Sequence, residues 1–203
     1  MKWPPLPKPG SRMVNNAVVQ SAVYYPPCIG FIAPSGTGKT TLLRQLIPLL
    51  NQRGLRIGYL KHAHHVFDID QPGKDSYVIR AAGAAQVIIA SEQRWVLLHE
   101  GGEADLLPLL ARFDSTEFDL VLIEGFHRAH YPKIAVQRTQ HSQSIAADHA
   151  HYYTDPDLIA LVSDAPTTDY SLPLLALNQP AALAEFILNH WTAGRLVIHA
   201  TAV

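Results

Sequence analysis

Ala33-Pro34-Ser35-Gly36-Thr37-Gly38-Lys39-Thr40-Thr41 lies between an apolar run, Cys28 to Ile32, and a leucine-rich helical pattern, Thr41 to Gln52. That is the strand–loop–helix setting of a phosphate-binding P-loop, G-x-x-x-x-G-K-[ST]. A glycine-rich turn aims consecutive backbone N–H groups at phosphate oxygens, and the following helix adds the positive end of its dipole. Ser35, Gly36, Thr37, Gly38 and Thr41 are therefore expected to cradle phosphates. Lys39 is expected to reach the β- and γ-phosphates and Thr40 to ligate Mg²⁺. Ala33 stands where the motif has its first glycine, and alanine is small enough for that place. The stretch predicts nucleotide binding on a P-loop NTPase domain.

Outward from the loop, Cys28–Ile32 reads as a buried central strand of a parallel sheet. The helix after it carries Leu42, Leu43, Leu46, Ile47 and Leu50 at helical spacing. Pro48 inside it predicts a kink and Gly54 a C-terminal cap. A second strand, Arg56 to Leu60, runs into Lys61-His62-Ala63-His64-His65. If it lies parallel to the first, Lys61 and the histidines share the rim of the P-loop, because ligands bind at the carboxyl ends of parallel strands.

The next strong signal is Asp119-Leu120-Val121-Leu122-Ile123-Glu124-Gly125, an apolar run with a carboxylate at each end. Five residues at about 3.3 Å each separate the two acids by roughly 17 Å. Glu124 falls on the P-loop rim, near Mg²⁺ or its bound water, and Asp119 on the opposite end. Lys39 and Glu124 are accordingly the candidate catalytic residues, and Thr40 and Glu124 the candidate metal ligands.

The rest of the chain alternates in the same style. Phe67 to Lys74 reads as a polar loop, with Asp75 or Ser76 capping a short helix that Gly83 ends. Gln86–Ala90 and Arg94–Leu98 read as an antiparallel hairpin. Glu103 to Phe113 is amphipathic with an internal proline, Pro108. Lys133–Val136, Leu158–Val162 and Leu174–Leu177 read as further core strands. Asn178 is expected to cap a last helix with Pro180 in its first turn and Leu183, Phe186, Ile187 and Trp191 on one face. The fold class is α/β: a three-layer P-loop NTPase domain with a mostly parallel sheet plus an antiparallel hairpin. Residues 1–25 read as a flexible, proline-rich leader, 26–194 as the nucleotide-binding domain and 195–203 as a tail.

Composition narrows the class. With 48% hydrophobic and 16% charged residues the chain is globular rather than disordered. Lys plus Arg is 16, Asp plus Glu is 17 and the net charge is −1, so charge gives no reason to expect a nucleic-acid partner. No apolar run approaches the 18 residues of a membrane span, and one cysteine, Cys28, suits a reducing cytoplasm.

Eleven histidines are the compositional oddity. His62, His64 and His65 have ligand chemistry for a transition metal, yet adjacent strand residues point to opposite faces. Alternatively, Lys61 and the histidines bind anions, or form a solvated loop. Base selection belongs at another strand end, and Ser163-Asp164 is well placed. A carboxylate there accepts from guanine N1 and N2; the same dipeptide before a proline is also an ordinary turn.

Several blocks together carry a resemblance. They are Ser35–Leu43, Leu46-Ile47-Pro48, Lys61–His65, Asp68-Ile69-Asp70-Gln71-Pro72-Gly73-Lys74-Asp75-Ser76-Tyr77, Gly83–Gln86, Gln93-Arg94-Trp95 and Glu124-Gly125-Phe126. In order and spacing they resemble the molybdopterin-guanine dinucleotide biosynthesis protein B (MobB) family of small GTP-binding proteins, over roughly residues 28–190. The Lys-His-x-His-His and Asp-x-Asp-x-Pro-Gly-Lys-Asp-Ser blocks are far more specific than the P-loop. The resemblance implies GTP and Mg²⁺ as ligands, slow GTP hydrolysis and a homodimer. It also implies an adapter role beside the guanylyltransferase that joins GMP to molybdopterin. Residues 137–154, the leader and the tail carry no match. Two rival readings stand beside it: a nickel-chaperone-type GTPase, which shares the fold and would use His62, His64 and His65, and a small-molecule kinase whose loop around Lys74 and Asp75 positions an acceptor hydroxyl.

Overall fold

A computed structural model describes residues 11–14, 17–20, 25–63, 67–102, 105–138, 151–165 and 171–198. The elements in chain order are β1 (Ser11–Val14), β2 (Ala17–Gln20), β3 (Cys28–Ile32), α1 (Lys39–Gln52), β4 (Ile57–Lys61), α2 (Asp75–Ala81), β5 (Gln86–Ala90) and β6 (Trp95–His99). They continue with α3 (Leu106–Leu110), β7 (Leu120–Glu124), β8 (Lys133–Gln137), β9 (Leu158–Ser163), β10 (Leu174–Ala176) and α4 (Pro180–Thr192).

Six strands form one sheet in the order β10-β9-β8-β3-β7-β4, every neighbouring pair parallel. The central strands are apolar throughout because helices or loops cover both faces. Ile29, Phe31, Leu120, Leu122, Ile134 and Val136 pack with α1 and α4 through Leu42, Leu46, Leu50, Leu183 and Ile187. The alternate residues Cys28, Val121 and Ile123 meet α3 and the aromatic rings of Phe126 and Tyr131 on the other face. This is the expected three-layer arrangement, with β3 in the middle of the sheet and its carboxyl end feeding the P-loop.

The opposite end of β7 is locked by Asp119. Arg56 donates its backbone N–H (2.7 Å), Nε (2.9 Å) and Nη2 (2.8 Å) to the Asp119 carboxylate. Those bonds, the Arg56 guanidinium first, hold the carboxyl at about 2. Asp119 is thus a structural clamp at the end away from the P-loop, as the strand geometry requires.

Residues 67–102 form an arm of different character, none of them buried. Its antiparallel hairpin, β5 with β6, is the one expected, shifted one residue so that Trp95 rather than Arg94 opens β6. The arm is organised by Arg80, which pairs with Asp68 (2.8 Å) and Glu100 (2.8 Å) and lies 3.6 Å from Asp70. Ser76 Oγ donates to Asp70 Oδ1 (2.9 Å). The Asp-x-Asp block therefore ties α2 to the end of the hairpin. Seven of the nine exposed large hydrophobic residues among the described residues belong to this arm, including Ile88 (64%) and Trp95 (68%).

Several local expectations need correction. Neither Asp75 nor Ser76 caps α2; Lys74 holds that position and Asp75 is already helical. Asn178 does not cap α4, which begins after Gln179 with Pro180 at its first position, where a missing N–H costs nothing. The amphipathic segment Glu103–Phe113 contributes a short helix, Leu106–Leu110, and Pro108 falls in its first turn, which tolerates proline. α1 starts at Lys39 and continues through Pro48, whose ring is exposed. Gly54 does close α1: its N–H donates to Asn51 and the Leu55 N–H to Leu50. Within the leader, β1 and β2 pair antiparallel. After Gly194, Leu196 is buried and its carbonyl accepts from the Cys28 N–H (2.8 Å). Among the described residues no helix is long and apolar enough to cross a membrane.

Candidate functional site

The loop leaving β3 turns over Gly38, whose left-handed backbone (φ 96°) suits glycine and directs the chain into α1. Inside it, Thr37 is buried and its Oγ1 donates to the Pro34 carbonyl (2.9 Å). Ala33 is buried as well, consistent with a small residue in place of the first glycine. Lys39 Nζ folds back to donate to the carbonyls of Ala33 (2.8 Å) and Pro34 (2.9 Å). Burial lowers its pKa, and the Glu124 carboxylate opposes that shift. An ammonium held by two neutral carbonyls in its own loop gains by exchanging them for an anion. Ser35, Gly36, Thr40 and Thr41 are exposed around it.

Strand register assembles the rest of the rim. Glu124 at the end of β7 stands beside Phe31 of β3 and Lys61 of β4. Tyr59 and Lys61, two residues apart on β4, lie on one face, and both reach the same carboxylate. The Tyr59 hydroxyl donates to Glu124 Oε2 (2.6 Å) and Lys61 Nζ lies 3.9 Å from Oε1. Burial, then Glu124, pushes the Tyr59 phenol upward, so it remains a proton donor. Ser35, Lys39, Lys61, His62 and Glu124 line a common cleft of about 480 Å³.

The chain leaves Glu124 through a tight reversal. Gly125 is left-handed (φ 99°), and a Cβ there would lie 2.6 Å from His62 Cβ. Phe126 follows with φ 51°, uncommon for a bulky side chain. The His62 N–H donates to the Glu124 carbonyl (2.8 Å), and its ring stacks on Phe126 at 4.4 Å. His62 is therefore a wall of the cleft. His64 and His65 lie outside the described residues. Among the described residues no group of three or more His, Cys, Asp or Glu is arranged to hold a metal ion.

On the other side of the P-loop, Gly38, Thr41, Arg138, Asp164 and Asn178 line a smaller cleft of about 240 Å³. Asp164 is exposed there, whereas Ser163 is buried and its hydroxyl accepts from the Ala165 N–H (3.2 Å). The sequence reading joined Lys39, Lys61, His62 and Glu124 on one rim, and the structure brings them together. It did not anticipate Tyr59 or Arg138. The i, i+2 spacing of Tyr59 and Lys61 on an expected strand was a usable signal for the first. Nothing local marks Arg138.

The chain matches the family model described as molybdopterin guanine dinucleotide synthesis protein B (MobB) over residues 28–164. It is 45% identical to the molybdopterin-guanine dinucleotide biosynthesis adapter protein of Escherichia coli (strain K12) over 168 residues, 80% of this chain and 92% of that one. The adapter protein of the same description from Haemophilus influenzae is 37% identical over 164 residues, 80% of this chain and 88% of that one. Among solved structures, a crystal structure of molybdopterin-guanine biosynthesis protein B superposes with a TM-score of 0.63 at 27% identity, covering 80% of this chain and 98% of that one.

Proposed function

The chain belongs to the molybdopterin guanine dinucleotide synthesis protein B family, and on that premise we propose that it is a GTP-binding adapter with weak GTPase activity. In this reading it assists the guanylyltransferase that converts the molybdopterin cofactor to its guanine dinucleotide form, in the cytoplasm. The observation that carries the nucleotide part is the facing pair of Lys39, held by two loop carbonyls, and Glu124, at the carboxyl ends of adjacent parallel strands. A triphosphate draws Lys39 off those carbonyls while the N–H groups of the loop and of the first turn of α1 take the remaining phosphate oxygens.

The residues suit Mg²⁺: the Thr40 side chain lies in the exposed first turn of α1, and Glu124 is the carboxylate across the cleft. When bound, Mg²⁺ neutralises charge on the β- and γ-phosphate oxygens. Glu124 orients the attacking water or accepts its proton, but Tyr59 and Lys61 already engage that carboxylate and weaken it as a base. Turnover is accordingly slow. A steady-state rate above about 1 s⁻¹ without a partner would falsify this part. Asp164 is the candidate for guanine selection, Ser163 serving only to hold the turn. Lys61 and His62 remain candidates for the anionic group of molybdopterin.

The second copy of the proposed homodimer covers the arm. Scattered exposed apolar residues are ordinary, whereas their concentration on one element marks a contact surface. Lys74 and Asp75 begin α2 on this arm and do not line the cleft of Lys39 and Glu124, which leaves the kinase reading without support. Titration with GTP and with ATP in the presence of Mg²⁺, followed by co-purification with the guanylyltransferase, tests the reading. Tight GTP binding and capture of the transferase support it; preference for ATP, or no capture, removes the corresponding half.

A further inference from the structure

Arg138 leaves the end of β8 and lies on the P-loop from the side opposite Glu124. Its Nε donates to the Thr37 carbonyl (3.0 Å). A Cβ built on Gly38 would lie 3.0 Å from its Nη2, so the guanidinium covers the residue that caps α1. That residue stands at the helix end where N–H groups lack intrahelical acceptors and the dipole favours negative charge. An arginine at the positive end of a helix gains nothing from the dipole. A phosphate lying between the guanidinium and the helix end would be favoured by both. The cleft beneath it also contains the Asp164 carboxylate. A phosphate entering there meets the Arg138 guanidinium on the P-loop side, and a planar guanidinium offers phosphate a fork of donors.

We propose that Arg138, the residue that follows the chain's own β8, is a phosphate-binding residue of the nucleotide site, directed at the nucleoside-proximal phosphates. This rests on the nucleotide reading above and adds to it. Lys39 and Glu124 flank one side of the loop, where the terminal phosphate belongs. Arg138 shares the other side with Thr41 and Asp164. It therefore strengthens binding of diphosphate and triphosphate alike and does not act as a finger on the departing phosphate.

The test is titration of wild type, Arg138→Ala and Arg138→Gln with GTP and with GDP, together with GTP turnover at saturation and the melting temperature without nucleotide. Glutamine can still donate to the Thr37 carbonyl but carries no charge, so it separates loop support from phosphate binding. Both variants are expected to lose about tenfold or more in affinity for GTP and GDP equally. Saturated turnover is expected to change less than about threefold, with the melting temperature of Arg138→Gln unchanged. Wild-type affinity in Arg138→Gln overturns the proposal, leaving a loop prop. A loss confined to GTP or to turnover overturns it in favour of a finger. A wild-type chain that binds neither nucleotide overturns the nucleotide reading itself.

Discussion

The six-stranded sheet and the arm over residues 67–102 solve the same problem in opposite ways. In the sheet nearly every large apolar side chain finds its partner within the chain, and even the charge of Lys133, 1% exposed, is matched by Asp155 (2.8 Å) and Asp157 (3.3 Å). In the arm no residue is buried, a charged clamp around Arg80 replaces a core, and Ile69, Val78, Ile79, Ile88, Ile89 and Trp95 face outward. A two-stranded hairpin is marginal alone, and this one has only a short helix beside it. On the proposed reading the labour divides along that difference: the sheet holds the nucleotide site, and the arm's exposed apolar residues are the surface for the second copy.

The comparison breaks first where the sheet is strongest. Lys133→Ala leaves Asp155 buried without its cation and is expected to lower unfolding stability by about 3–5 kcal/mol in chemical denaturation. A loss below about 1 kcal/mol would mean that the pair is not part of the core. In the arm, Ile88→Asp should alter the unfolding of the monomer by less than about 0.5 kcal/mol. It should, however, convert a dimer to a monomer in light scattering at micromolar concentration. Loss of folding without loss of association would reverse the assignment.

A smaller effect belongs to Asp119. Its pKa is depressed from 3.8 to about 2, so its stabilisation is complete above about pH 4 and disappears as pH falls through about 2. Asp119→Asn should cost about 1 kcal/mol at neutral pH, solvent screening included, and flatten the acid limb between those values. An unchanged acid limb would show that Arg56 does not hold the carboxylate in solution. Least of all, Tyr59→Phe frees Glu124 of one donor and should raise GTP turnover about two- to threefold. A fall in turnover would instead make the Tyr59 hydroxyl a positioning group.

The same division explains what could be read in the chain beforehand. Cys28–Ile32, the P-loop and Leu120–Glu124 were legible because apolar runs and glycine placement are local signals, and parallel pairing then put Lys61 and Glu124 on one rim. The Asp119 end followed from strand length. Other features depend on contacts distant in sequence. Lys133 looked like the polar start of a strand, since its two acids lie more than 20 residues later. Arg138 meets Thr37 across 101 positions. The arm's hairpin was visible, but its exposure was not, because β-branched and aromatic residues read alike whether they enter a core or a partner. Asn178 and Asp75 were good caps by type, yet Gln179 and Lys74 stand at the cap positions, neither with a side-chain cap hydrogen bond.

The central claim, that one chain's P-loop holds a guanine nucleotide through Lys39, is tested most directly by calorimetric titration of GTP into wild type and Lys39→Ala with matched melting temperatures. The account predicts a single GTP site per chain in the wild type and an affinity at least about a hundredfold weaker in the variant. Equal affinity in the two proteins, or no binding to the wild type, would contradict it.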